Sequence, residues 1–327
     1  MLPVRRRRLK NLTVVPALLA CGALLLTACG DDGPAEDPFL GGKSYDRLDA
    51  VTISGDVGSA PDVKWKGSMK AGKVESETIT EGDGEELKGQ DDVLAHLWIG
   101  NGFSQKTAFS TYDEKQAEVL TVDNQLPEFL AAIRDAKVGS RIAVTASAKE
   151  AFGEEGNAQI GIANKDTVLV IIDLVSKVLD KPEGEESPYP AWMPKPKFRD
   201  GVIKSFDFTD TPDPTDDLRR VQLIKGTGPR VKKGQTIAVR YLGQAFDGEK
   251  PFDENFGDSG QGKATTFSIG TGAVIKGWDQ GLEGVPVGSR VVLEIPSELG
   301  YGAEGSPDSG IPKDATLVFM IDILAAA

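Results

Sequence analysis

Two parts of this chain repeat each other at a fixed distance, and that repeat constrains the fold more than any other feature. KVGSRIAV at 137–144 parallels PVGSRVVL at 286–293, AFGEEG at 151–156 parallels GYGAEG at 300–305, and TVLVIIDL at 167–174 parallels TLVFMIDI at 316–323. Upstream, EGDG at 81–84 parallels KGTG at 225–228, and from VGSR onward the offset holds at 149 residues. A spacing kept over three motifs points to one domain present twice. The 327 residues, 39% of them hydrophobic, are enough for two packed cores.

The repeated segments read as short strands. In the first half, Ala50 to Ser54, Val63 to Trp65 and Glu75 to Thr80 are separated by Gly and Pro turns, the pattern of an antiparallel sheet. In the second, Thr265 to Ile269 alternates as a half-buried strand, Gly270 and Gly272 break it, and a brief helix follows. Ile275, Trp278 and Leu282 share one face of that helix, so the indole is expected to point inward. Val291 to Ile295 is the next strand, ended by Pro296, with Tyr301 in the loop beyond it. Between the halves, residues 180–197 hold Pro182, Pro188, Pro190, Pro194 and Pro196, too many for a helix interior or a central strand, and are expected to form a semi-rigid linker.

The N-terminus follows different rules. Arg5 to Arg8 and Lys10 form a charged head, Leu12 to Leu26 an apolar run, and LTAC ends at Cys29. This order resembles a lipoprotein signal peptide over 1–29, with Cys29 the lipidated first residue of the mature chain. Cys21, in LLAC, is the weaker candidate because cleavage there leaves an unusually short apolar core. A retained membrane helix needs roughly 20 apolar residues, more than this run supplies. Residues 30–44, rich in Gly, Asp and Pro, are expected to form a flexible tether. The expected location is therefore extracytoplasmic, at the cell membrane through a lipid on Cys29. After cleavage no second cysteine remains for a disulfide, so stability rests on the cores.

The formal charge is −13, and removal of the five basic residues before Cys29 takes the mature chain to −18, which argues against nucleic acid as a partner. One histidine cannot build a metal cluster, and neither calcium-loop nor zinc spacing occurs. No cofactor or metal is expected. The two large α/β lobes of a solute-binding lipoprotein are not suggested by a chain of short strands.

The second half resembles the FKBP-type peptidyl-prolyl cis-trans isomerases. The motifs are VIKGW at 274–278, GYG at 300–302, ATLVF at 315–319, LIKGTG at 223–228, VRYLG at 239–243 and PFDE at 251–254, all in the family's order. The resemblance implies an α+β fold, with two FKBP-like domains (45–179 and 198–327) that each curl an antiparallel β-sheet around a short α-helix. It also implies a pocket for an X-Pro segment. In it Trp278 is the floor, Tyr241, Phe252, Val274, Ile275 and Phe319 are the walls, and Asp253 is a carboxylate at the edge. The Ile275 amide and the Tyr301 phenol would donate to substrate carbonyls, and Ile311 would line the pocket. The implied partners are proline-containing polypeptides of exported proteins, handled by a monomer.

Some positions depart from the family. Thr265 and Leu299 stand where aromatic residues are usual, and SPDSGIP at 306–312 is longer than the usual loop, so binding of the family's macrolide inhibitors is not inferred. In the first half, alignment sets Phe129 opposite Trp278, Phe152 opposite Tyr301, Ser110 opposite Asp253 and Gln125 opposite Val274. Trp98, or His96 after a shift of two, falls opposite Tyr241. Those replacements predict weak or no isomerase activity there. A lipid-anchored chaperone or peptide-binding module without turnover is the alternative for the whole chain.

Overall fold

The structure, a computed structural model, describes residues 43–123, 127–257 and 262–327. The expected signal peptide with the lipidation candidate Cys29, and the expected tether up to residue 42, lie outside the described residues, as does Gln125.

Two antiparallel sheets dominate, and they share a strand order. The first holds β1 (Glu75–Thr80), β2 (Asp92–Asn101), β3 (Lys106–Ser110), β4 (Glu118–Thr121), β5 (Arg141–Ser147) and β6 (Thr167–Lys177), ordered β1-β5-β6-β2-β3 with β4 also on β2. The second holds β7 (Gly184–Glu186), β8 (Arg219–Gly226), β9 (Thr236–Ala245), β10 (Asp253–Glu254), β11 (Thr265–Ser268), β12 (Arg290–Ile295) and β13 (Leu317–Ala326). Its order is β7-β8-β12-β13-β9-β10, with β11 also on β9. The repeated motifs VGSR and TVLVIIDL/TLVFMIDI thus run into the paired central strands, β5 with β6 and β12 with β13.

The central strands are apolar on both faces because both are covered. On one face of the second sheet, Val239, Val291, Leu293 and Ile321 pack around the helix Lys276–Leu282 and its Trp278. On the other, Leu242, Val292 and Met320 lie under the hairpin Lys195–Arg199/Val202–Asp207, which supplies Ile203 and Phe206. In the first sheet the second face is covered by residues 44–70, which bring Ala50, Val51 and Met69 against Trp98 and Ile171. The architecture is α+β, two FKBP-like sheets with few helices.

Two local differences from the sequence expectation have simple causes. Residues 184–186, inside the proline-rich segment, form an edge strand paired only with β8. An edge strand tolerates nearby prolines because half of its backbone groups need no partner. In the first half the expected helix is a 3-10 helix, Glu128–Ile133, confined between Pro127 and the left-handed Asp135 (φ 60°). A run this short closes more bonds with i→i+3 than with i→i+4 pairing.

The halves touch directly. Leu94, Ala117 and Val178 pack with Ala238, Ala264 and Leu324, and the Ala117 N–H donates to Thr236 Oγ1 at 3.0 Å.

Candidate active site

The site starts where β11 ends. The chain reverses at Gly270 and Gly272, both with positive φ near 77°, a conformation a side chain resists. Their N–H groups donate to the two oxygens of Asp279 at 2.6 and 2.9 Å, and Asp279 lies in the first turn of the helix, where a carboxylate also suits the helix dipole. Turn and helix are thereby pinned together, with Ile275 as the residue before the first helical position.

The helix then approaches the sheet closely. A Cβ added at Gly277 would fall 2.4 Å from Ile295 Cγ2, and one at Gly281 2.8 Å from Leu293 Cδ1. These glycines bring the axis down onto β12, and Trp278, 4% exposed, drops into the space between strands. Three rings meet its indole edge-on: Phe267 at 5.1 Å, Tyr241 at 5.4 Å and Phe319 at 5.4 Å, with interplanar angles of 73°, 87° and 83°. Phe252 adds a further edge contact to Phe319 at 5.6 Å. Such T-shaped contacts set the positive rim of one ring against the negative face of another and fix ring orientation. The indole Nε1–H is buried and has no hydrogen-bond partner among the described residues.

Polar groups lie at the rim. The Tyr241 hydroxyl donates to Asp253 Oδ2 at 2.6 Å. Burial, then this bond to a carboxylate, pushes the Tyr241 phenol well above its ordinary value. Burial and the Asp253 charge likewise raise Tyr301. Both phenols therefore stay protonated, as donors, through the neutral range. Among the described residues neither the Tyr301 hydroxyl nor the Ile275 N–H has an intramolecular acceptor.

The residues expected from the sequence are gathered here: Trp278 with Tyr241, Phe252, Val274, Ile275, Phe319 and Tyr301 in one cluster that includes buried Ile311, and Asp253 bonded to Tyr241. Four contributors were not anticipated. Phe267 follows Thr265 by two, so strand alternation already put it on the same face. Gly243 leaves room for Phe252 and Phe319, since a Cβ there would fall 2.7 and 2.5 Å from their rings. Asn255 fastens β9 to its neighbours, accepting from Tyr241 N at 2.6 Å and donating to Val239 O and Thr265 Oγ1. Asp279 is the fourth. The last two act through backbone partners distant in sequence, which a linear pattern does not display.

The corresponding positions in the first half carry hydrocarbon side chains. Leu97 pairs with Ile172 as Tyr241 pairs with Ile321, so Leu97, rather than Trp98 or His96, holds the place of Tyr241. Trp98 faces the other side of the sheet. By the same register Phe109, opposite Ile99, corresponds to Asp253, opposite Gly243, and Ser110 instead accepts from Asp113 N at a helix start. Phe129 and Phe152 are in contact, with ring centres 5.5 Å apart.

A family model described as FKBP-type peptidyl-prolyl cis-trans isomerase matches residues 228–324. An FK506-binding protein of Streptomyces anulatus is 39% identical over 113 residues, covering 35% of this chain and 89% of that protein. Peptidyl-prolyl cis-trans isomerase FKBP15-2 of Arabidopsis thaliana is 48% identical over 93 residues, covering 28% of this chain and 54% of its own length. The crystal structure of a peptidyl-prolyl cis-trans isomerase from Pseudomonas syringae pv. tomato str. DC3000 is similar at 34% identity, over 34% of this chain and 75% of that one, with a TM-score of 0.30. With 89% of the Streptomyces protein aligned at 39% identity and the family model on residues 228–324, this chain belongs to the FKBP-type peptidyl-prolyl cis-trans isomerase family.

Proposed function

We propose that residues 198–327 rotate X-Pro peptide bonds of exported polypeptides in the pocket above Trp278, and that a lipid on Cys29 holds the chain at the outer face of the cell membrane. The first half, 45–179, is a binding or spacer domain in this scheme.

Twisting an X-Pro amide breaks its conjugation. The barrier of roughly 18–20 kcal/mol makes the uncatalysed step slow enough to limit folding. Resonance separates charge in the planar amide, and that separation collapses at the twisted geometry. A hollow walled by hydrocarbon therefore favours the twisted state over the planar one. Trp278 supplies the floor, Tyr241, Phe267, Phe252 and Phe319 the sides, and Val274 and Ile275 the end. The donors at Tyr301 Oη and Ile275 N would hold the flanking carbonyls without any proton transfer, and Asp253 keeps the Tyr241 phenol in place.

The observation that carries this reading is the buried indole ringed edge-on by aromatic side chains, with two unpaired donors beside it. The test is cis-trans exchange of a short X-Pro peptide by the mature protein. Trp278→Leu should lower kcat/KM by at least tenfold, while Asp253→Asn, which keeps an acceptor for Tyr241, should lower it less. Equal activity in the parent and in folded Trp278→Leu protein would remove the pocket from the mechanism and leave binding without turnover as the function.

A further inference from the structure

Away from the aromatic pocket, each sheet carries an arginine opposite an aspartate on its central pair of strands. Arg141 lies opposite Asp173, and Arg290 opposite Asp322. Each arginine grips its carboxylate with Nε and Nη2, at 2.7 Å for both contacts in the first sheet and at 2.6 and 2.7 Å in the second. A guanidinium has five N–H donors, so donors remain after such a grip.

In the first sheet the chain uses them itself. Arg141 Nη1 donates to the carbonyls of Ser54 and Gly55 at 3.2 and 2.8 Å, and Nη2 to those of Asp56 and Ser59 at 3.0 and 2.7 Å. The turn 54–59 closes over the guanidinium and leaves its side chain 1% exposed.

In the second sheet Arg290 Nη1 has no acceptor among the described residues, and the side chain is 20% exposed. It opens into a cavity of about 300 Å³ lined also by Leu223, Pro188, Tyr189 and Phe198. Tyr189 and Phe198 are 56% and 42% exposed, unusual for large apolar side chains. Strand alternation sets Arg290 on the face opposite Val291, which packs in the Trp278 cluster, so this cavity and the aromatic pocket occupy opposite faces of the sheet.

We propose that this cavity is a second polypeptide-binding site. A turn of an unfolded client chain would lay its backbone carbonyls on the spare Arg290 donors and place an apolar side chain between Tyr189 and Phe198. The chemistry of the occupant follows from charge. Asp322 faces both Arg290 and the neighbouring Arg240, and Glu186 in the lining adds a second carboxylate, so two carboxylates stand against two arginines; a neutral acceptor suits the site and an anion does not. Peptide carbonyls in a tight turn are the neutral acceptors that this same chain supplies to Arg141.

The experiment uses the mature protein and a dye-labelled, uncharged, proline-free peptide of Gly, Ser, Asn and Leu, read by fluorescence anisotropy. The peptide is expected to bind, to remain bound when a short X-Pro substrate saturates the aromatic pocket, and to bind about tenfold more weakly to the double variant Tyr189→Ser, Phe198→Ser. Both changed side chains are exposed, so turnover of the short X-Pro substrate should be unchanged in that variant and serves as the control for folding. The proposal is overturned by absent binding, by displacement with the short substrate, by undiminished affinity in the double variant, or by displacement with inorganic phosphate, which would mark an anion site.

Discussion

Replacing Gly243 with alanine adds one methyl group on the pocket face of β9, two residues beyond Tyr241 and therefore on the same side of the sheet. On the present backbone that carbon would lie 2.5 Å from Phe319 Cε1 and 2.7 Å from Phe252 Cζ. Ordinary contact begins at 3.4 Å, so the rings must retreat by about 0.9 and 0.7 Å. Phe319 has little room to do so, being edge-on to Trp278 on one side and to Phe252 on the other. Overpacking of this kind costs roughly 1–3 kcal/mol of stability. A displacement near 1 Å in the walls of a site can cost on the order of a hundredfold in rate. Gly243 lies inside a strand without positive φ, so alanine imposes no backbone strain and the effect is steric. The expected result is a folded protein with a lower urea midpoint and kcat/KM for a short X-Pro peptide reduced by about ten- to a hundredfold. A folded Gly243→Ala protein whose kcat/KM stayed within about twofold of the parent would refute the claim that Phe252 and Phe319 together wall the site.

Two further predictions concern the first half. His96 is the chain's only histidine; it stacks on Tyr112 at 4.2 Å, and burial, partly opposed by Asp173, pushes its imidazole below the ordinary 6.5. The unfolded chain then takes up this proton before the folded one, so the stabilisation is complete above pH 6.5 and drains away as pH falls below it towards the folded-state value. Urea titrations should show this loss in the parent and a flatter profile in His96→Phe; identical slopes would exclude His96 as the source. Arg141→Met leaves the buried Asp173 carboxylate without its counter-charge, with Tyr112 Oη and Gly58 N still donating to it, and takes the guanidinium donors from four backbone carbonyls; breaking a buried pair costs about 3–5 kcal/mol. A loss under about 1 kcal/mol in chemical denaturation would show that the turn 54–59 is not held by this arginine.

Much of the second half can be read directly from local spacing. The alternation at 265–269 and 290–295 is visible as strands, and the three- and four-residue intervals joining Ile275, Trp278 and Leu282 place the indole on the buried side of a helix that runs from Lys276 to Leu282. Contributions that depend on register are not visible in this way. Asn255 matters because its amide reaches Tyr241 N and Val239 O across a loop, and Gly243 matters because two rings from other strands cross above it. The misplacement of Trp98 has a different cause. The offset is 149 from VGSR onward but 144 between EGDG and KGTG, and the 144 spacing carried to Tyr241 falls on Leu97; Trp98 and His96 each miss it by one residue, and a slip of one exchanges the two faces of a strand. Pairing with β6 settles the register and gives Leu97 the inward place.

That register has a consequence for how the two halves divide their work. Both sheets keep the strand order and the Arg–Asp pair, features that hold the backbone, so the framework does not distinguish them. They differ in what occupies the spaces the framework leaves. In the first half, Leu97, Phe109, Phe129 and Phe152 contribute to the inner core, and the turn 54–59 closes over the outer arginine. In the second half the rim of the inner space carries the unpaired Tyr301 hydroxyl and Ile275 N–H, and the outer arginine faces a cavity between Tyr189 and Phe198. Restoring chemistry to the first half would therefore take more than one polar substitution. Phe152→Tyr alone returns a phenol to the position of Tyr301, but the carboxylate beside it and the tyrosine at position 97 would still be missing. Such a variant should bind no X-Pro peptide at that site, and a measurable gain in turnover from this single change would mean that the hydrocarbon filling is not what silences the first half.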